Sequence, residues 1–212
     1  MNIISDIQQR RSIVEISADG CVCLKVRKQH FAKRPLAIGE AVDLEVYENS
    51  IASIQFSDAY ESALISLDLC ARTAKELEKN LLSKGYVPTV ISSVIERLLE
   101  NHLIDDRQLA GRIAESSANK AVGVYAVKRK LRAKGISEAD ASEALEMFDD
   151  AQQKLAACQA AQKLCRRYKD LPAREARAKL SQALARRGFP WDAISEAVDA
   201  LLNADDDFGD SI

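Results

Sequence analysis

Three helix endings set 50 and 53 residues apart constrain this chain most: LLSKGY closes at Gly85, LRAKGI at Gly135 and LARRGF at Gly188. Aligned on these glycines, Leu77, Val127 and Leu180 stand eight residues before, and Leu81, Leu131 and Leu184 four before. Each segment therefore stacks two apolar side chains on one helical face. The next residue is Tyr86, Ile136 or Phe189. Beyond it, Ile91, Val94, Ile95 and Leu98 match Ala141, Ala144, Leu145 and Phe148, and then Ile194, Ala197, Val198 and Leu201. The shared offsets predict a helix ending at glycine, a tight connection and a second amphipathic helix in every copy. Glycine suits the left-handed conformation that commonly follows a last helical turn. Lys84, Lys134 and Arg187 precede it, where positive charge favours the helix's negative end.

A third helix precedes each pair. Asp58 to Leu69 carries Ala59, Ala63, Leu64 and Leu67; Asp106 to Ser117 carries Leu109, Ala110, Ile113 and Ala114; Gln152 to Arg167 carries Leu155, Gln159, Gln162 and Leu164, the weakest of the three stripes. The chain thus parses into three-helix repeats at about 57–101, 102–149 and 150–204, followed by an acidic tail at 205–212. Helices of about 12 residues span only ~18 Å, so packing within and between repeats must supply most of their stability. The expected fold is mainly α, an elongated, curved array of tandem repeats.

Residues 1–56 have another character. SIVEIS and CVCLKV are β-compatible runs separated by Ala18-Asp19-Gly20, with Val14 and Ile16 on one face and Val22, Leu24 and Val26 facing with them from the partner strand. VDLEVY and IASIQF, after the Ile38-Gly39 turn signal, read as two further strands. A small β-rich N-terminal module is expected.

With 212 residues, 47% of them hydrophobic, the chain can bury a useful core. It has no long apolar segment for spanning a membrane and no secretory leader, which makes a cytoplasmic protein the expectation. Of the five cysteines, Cys21 and Cys23 have no matching second pair, and His30 and His102 lack a ligand arrangement, so neither metal nor cofactor is expected. Asp105-Asp106 diverge by about 100° on a helix and lack a third partner; helix-start capping explains them and Asp149-Asp150 better than acid–base chemistry does. No glycine-rich phosphate loop is present, and an enzyme is not expected.

Charge is informative when read locally. The chain is formally −2, yet Lys154 to Arg187 holds ten Lys/Arg against two Asp/Glu, whereas Asp192 to Ile212 holds seven acidic residues and no basic one. Lys128, Arg129, Lys130, Arg132 and Lys134 form another basic run. Such patches can attract DNA phosphates, meet an acidic protein, or simply cover a solvated face.

The ordered set ARTAKELEKNLLSKGY, HLIDDRQLAGRIAESS, GVYAVKRKLRAKGI and ARAKLSQALARRGF strongly resembles the RecX regulatory family, whose members bind the bacterial recombinase RecA and modulate its filament on single-stranded DNA. The resemblance runs from about Tyr60 to Leu202, and the N-terminal extension is similar to that of longer members. Leu109 stands where family members commonly carry an aromatic residue, which keeps an apolar anchor without its ring, and CRRYKDLPAREARAKL fits the third repeat less tightly.

The resemblance implies an extended protein in the groove of a RecA-like recombinase filament, bridging neighbouring protomers; three linked repeats can themselves provide a broad surface, so a monomer is expected. It implies negative regulation of recombination, filament growth, ATP turnover and SOS-inducing activity, the recombinase retaining the hydrolysis. Candidate contacts to protein or DNA are Arg72, Lys75 and Lys79 in the first repeat, Lys128, Arg129 and Arg132 in the second, and Arg166, Arg167, Arg177, Arg186 and Arg187 in the third. Trp191 either anchors an interface or packs the turn after GFP against its own repeat, the latter being preferred. Weak direct DNA contact is compatible with these residues. The competing readings are a stand-alone DNA-binding helical protein and a noncatalytic interaction scaffold.

Overall fold

A computed structural model of the chain describes residues 1–168 and 170–206, so the acidic tail expected at 205–212 falls largely outside the described residues. Four strands form the N-terminal sheet: β1 (Asn2–Gln9), β2 (Ile13–Ala18), β3 (Cys21–Arg27) and the two-residue β4 (Ala41–Val42), in the order β3-β2-β1-β4. The β2–β3 hairpin forms where the alternating runs predict it, turning through Asp19 and Gly20 at φ 51° and 83°. Register shifts between Ile4 and Asp6 and between Ile16 and Ser17 break the β1–β2 and β2–β3 ladders, and such irregularities curl a sheet. The second shift also corrects one expectation. Leu24 and Val26 are buried with Val14 and Ile16, but Val22, beyond the shift, is 57% exposed.

Two expected strands are helical instead. From Leu44 to Leu69 the chain forms one helix, α2, absorbing most of VDLEVY and all of IASIQF. Asp43 starts it, its carboxylate accepting from the amides of Glu45 and Val46 at 3.0 and 3.2 Å. Tyr47, Ile51, Gln55, Ala59 and Ala63 are buried at every fourth position. The apolar pairs that alternate locally are thus parts of a helical stripe visible only over a longer window.

α2 is also the first helix of a three-helix repeat with α3 (Ala74–Ser83) and α4 (Pro88–Glu100). The second repeat comprises α5 (Asp106–Ala118), α6 (Val124–Ala133) and α7 (Glu138–Leu145), and the third α8 (Asp150–Cys165), α9 (Ala173–Arg186) and α10 (Trp191–Asp206). A short helix, α1 (Lys28–Phe31), follows the hairpin. The protein is therefore mainly helical, with repeated three-helix units and a small curled sheet. All six aligned apolar positions of the repeats, Leu77, Val127, Leu180, Leu81, Leu131 and Leu184, are buried, as are Tyr86, Ile136 and Phe189. Gly85, Gly135 and Gly188 have φ between 79° and 83°, which accounts for their recurrence. The α8 stripe is not the expected one. Leu155 is 62% exposed and Gln159 and Gln162 face solvent, while Gln153, Ala157, Ala160, Ala161 and Leu164 are buried. Small alanines carry that contact, allowing close approach of α10.

The chain divides into two compact halves, Met1–Asp105 and Asp106–Ile212. In the first, the sheet is tied to the first repeat around Gly85. Arg27 donates its amide to the Gly85 carbonyl at 2.9 Å, and the buried Gln55 bridges the same turn, donating to the Gly85 carbonyl at 3.1 Å and accepting from the Val87 amide at 2.8 Å. Nearby, Asp58 gathers the Arg27 guanidinium at 2.6 Å and the hydroxyl of Tyr86 at 2.9 Å, with the buried His30 ring 3.4 Å away. Burial lowers the His30 pKa despite the attraction of Asp58, and Arg27 and Lys33 push the same way.

Candidate functional site

In the second half, the end of α9 meets the start of α6. Gly123 and Tyr125 donate their amides to the carbonyls of Arg187 and Gly188, each at 3.0 Å. The first turn of α6 has amides without an intrahelical acceptor, and the last turn of α9 has carbonyls without a donor, so the two helix ends satisfy each other. The approach needs glycine on both sides. A methyl group on Gly123 would overlap the Gly188 backbone, and one on Gly188 would overlap Ala126. Gln153 from α8 completes the seam by accepting from the Val124 amide at 2.9 Å.

This seam joins two basic segments that lie 57 residues apart in sequence, since a guanidinium nitrogen of Arg129 donates to the Arg186 carbonyl at 3.4 Å. Arg129, Arg132, Arg186 and Arg187 are all exposed, while Val127 and Leu131 hold the opposite face of α6 in the core. Lys128 is exposed too, but it is paired with Glu138 at 2.5 Å, and Lys128 in turn holds the Glu138 carboxyl below its ordinary range. Among the described residues, the exposed Arg132, Arg186 and Arg187 enter no ion pair.

The other candidates are dispersed. Arg72 is half-buried and donates to the Ser66 carbonyl at 3.3 Å, bracing the connection between α2 and α3, whereas Lys75 and Lys79 are exposed on α3 in the first half. Arg166 and Arg167 are exposed just past α8. Arg177 is bonded to Asp199 across α9 and α10.

Trp191 does not pack against its repeat as preferred from sequence; it is 71% exposed at the start of α10. It borders a groove of about 620 Å³ between α9 and α10, with Ala178, Ser181 and Ala185 along α9 and Arg174 at its far end. Arg174 and the glycine partner at position 123 were invisible to repeat alignment, because contacts between repeats leave no trace in the period within one. A helix-starting glycine where Ser, Thr, Asn or Asp would ordinarily cap was the one available signal for Gly123. Among the described residues, no group of three or more His, Cys, Asp or Glu could hold a metal ion, and no helix is long and apolar enough to cross a membrane.

Residues 59–98 match a family model described as the first three-helix domain of RecX, and residues 153–198 one described as its third three-helix domain. A regulatory protein RecX from Limosilactobacillus reuteri is 30% identical over 189 residues, covering 87% of this chain and 70% of the relative. One from Streptococcus thermophilus is 28% identical over 207 residues, covering 96% of this chain and 79% of the relative. The crystal structure of a regulatory protein RecX superposes with a TM-score of 0.65 at 27% identity, covering 94% of this chain and all of that one.

Proposed function

The chain belongs to the RecX family, and on that premise we propose that it engages a RecA-type recombinase filament on single-stranded DNA and restrains it. A monomer acting in the cytoplasm slows filament growth and thereby lowers strand exchange, ATP turnover and SOS-inducing activity, with the hydrolysis left to the recombinase. The observation that supports this reading best is the seam between α6 and α9, which gathers the basic residues of two repeats on a rigid mount. A rigid surface wide enough to meet more than one protomer can favour one filament state over another, and only such a difference in affinity shifts the filament's behaviour.

Changing Arg132, Arg186 and Arg187 together to serine spares the buried stripe and both glycines of the seam. The triple variant is expected to bind recombinase–DNA filaments about tenfold more weakly at low salt, the gap narrowing as salt screens the parent. Equal affinity of folded variant and parent across a salt series would remove the seam as an interface. Parent protein that neither binds filaments nor alters strand exchange would end the filament reading itself.

A further inference from the structure

We propose that the groove between α9 and α10 is a docking site for an amphipathic helix of a protein partner, one with a carboxylate-bearing edge, and is not a nucleic-acid channel. Its floor is built for close helix packing. Ala178, Ser181 and Ala185 recur at three and four residues on α9, with Val198 opposite, which gives a floor of small side chains over about 10 Å of axis, flanked by Arg177 and Gln182. Trp191 closes one end with its indole in solvent, the kind of rigid, large side chain that anchors protein interfaces.

The charges around the groove select its occupant. Arg174 and Arg177 are the charged residues that line it, both on the α9 side; Arg177 is committed to Asp199, and Arg174 has no ion-pair partner among the described residues. On α10 the groove is lined by Trp191, Ser195 and Val198, and Glu196 is turned away to pair with Lys154 of α8 at 2.7 Å. A phosphate backbone is tracked by a run of free cations, and Arg174 is the one lining cation without an ion pair among the described residues, whereas a helix needs only one acidic edge turned to Arg174 and an uncharged edge toward α10. The aliphatic stripe of such a helix would fill the floor.

The identity of the partner rests on the filament reading, so the test follows filament binding and groove occupancy in the same sample. Photocrosslinking from p-benzoylphenylalanine at Gln182, on the groove's rim, is performed with purified recombinase filaments on oligo(dT), while anisotropy of a dye on the chain reports binding. The expected result is an adduct with a recombinase helix that bears Asp or Glu beside its apolar stripe. Trp191→Ala is expected to weaken filament binding about tenfold, and Arg174→Glu about fivefold. Crosslinks to the oligonucleotide, or filament binding retained with no crosslink and no loss in Trp191→Ala, would overturn the assignment. Absence of filament binding in the parent would instead remove the filament reading and, with it, this partner.

Discussion

The glycines of this chain look alike in sequence and differ in what they do. Gly39 and Gly188 have φ of 84° and 82°, yet an added methyl meets nothing within 4 Å at Gly39 and overlaps the backbone of Ala126 at Gly188. Gly39→Ala is therefore expected to cost about 1–2 kcal/mol, the ordinary penalty for a left-handed alanine. Gly188→Ala adds an overlap that can be relieved only by separating α9 from α6, and is expected to cost about 3 kcal/mol or more. Urea denaturation of the two variants checks the difference, and similar midpoints would mean that the seam yields at little cost. The repeat alignment reveals the capping role of Gly188 because capping is local. It could not reveal the close approach, since Gly123 belongs to a different repeat from Gly188 and shares no offset with it.

At the level of elements, the second and third helices of each repeat were legible because their stripes are buried or packed against the core at every aligned position. The misread part was the first half of α2, since Asp58 to Leu69 reads as helix. Short windows such as VDLEVY satisfy a period of two, and only the spacing of Tyr47, Ile51, Gln55, Ala59 and Ala63 over four turns shows the helix. Polar Gln55 within that stripe disguises it further, although its burial has a purpose. Its amide donates to the Gly85 carbonyl and accepts from the Val87 amide, so one side chain satisfies both flanks of the turn that supports the sheet. Gln55→Leu, close in volume, would keep the packing and strand the Val87 amide, while the Gly85 carbonyl keeps its bond from the Arg27 amide. The expected loss is about 1–3 kcal/mol, at the scale of one buried unsatisfied group. Chemical denaturation measures it, and a loss below about 0.5 kcal/mol would show that water replaces the glutamine.

For the molecule as a whole, the segregation of charge seen in sequence is partly undone by folding. The basic stretch from Lys154 to Arg187 lies against the acidic helix that follows it, and two of its cations are consumed there, Lys154 by Glu196 at 2.7 Å and Arg177 by Asp199. Glu196 raises the Lys154 pKa by accepting its hydrogen bond. With Lys179 also paired, to Glu175 at 2.8 Å, the exposed arginines that remain in this stretch are Arg166, Arg167, Arg174, Arg186 and Arg187. If all five met phosphates of naked single-stranded DNA, affinity would fall with a log–log salt slope of roughly −3.5, or about a hundredfold between 50 and 200 mM salt. A filament offers protein contacts as well, and those are less sensitive to counterion release. The expectation is accordingly weak binding to naked oligo(dT) that disappears by about 200 mM salt, beside filament binding that falls less than about tenfold over the same range. Anisotropy titrations with the two targets under identical buffers decide it. Equal affinities and equal slopes would transfer the function to DNA alone, because a recombinase that contributed any contact would have to separate the two curves.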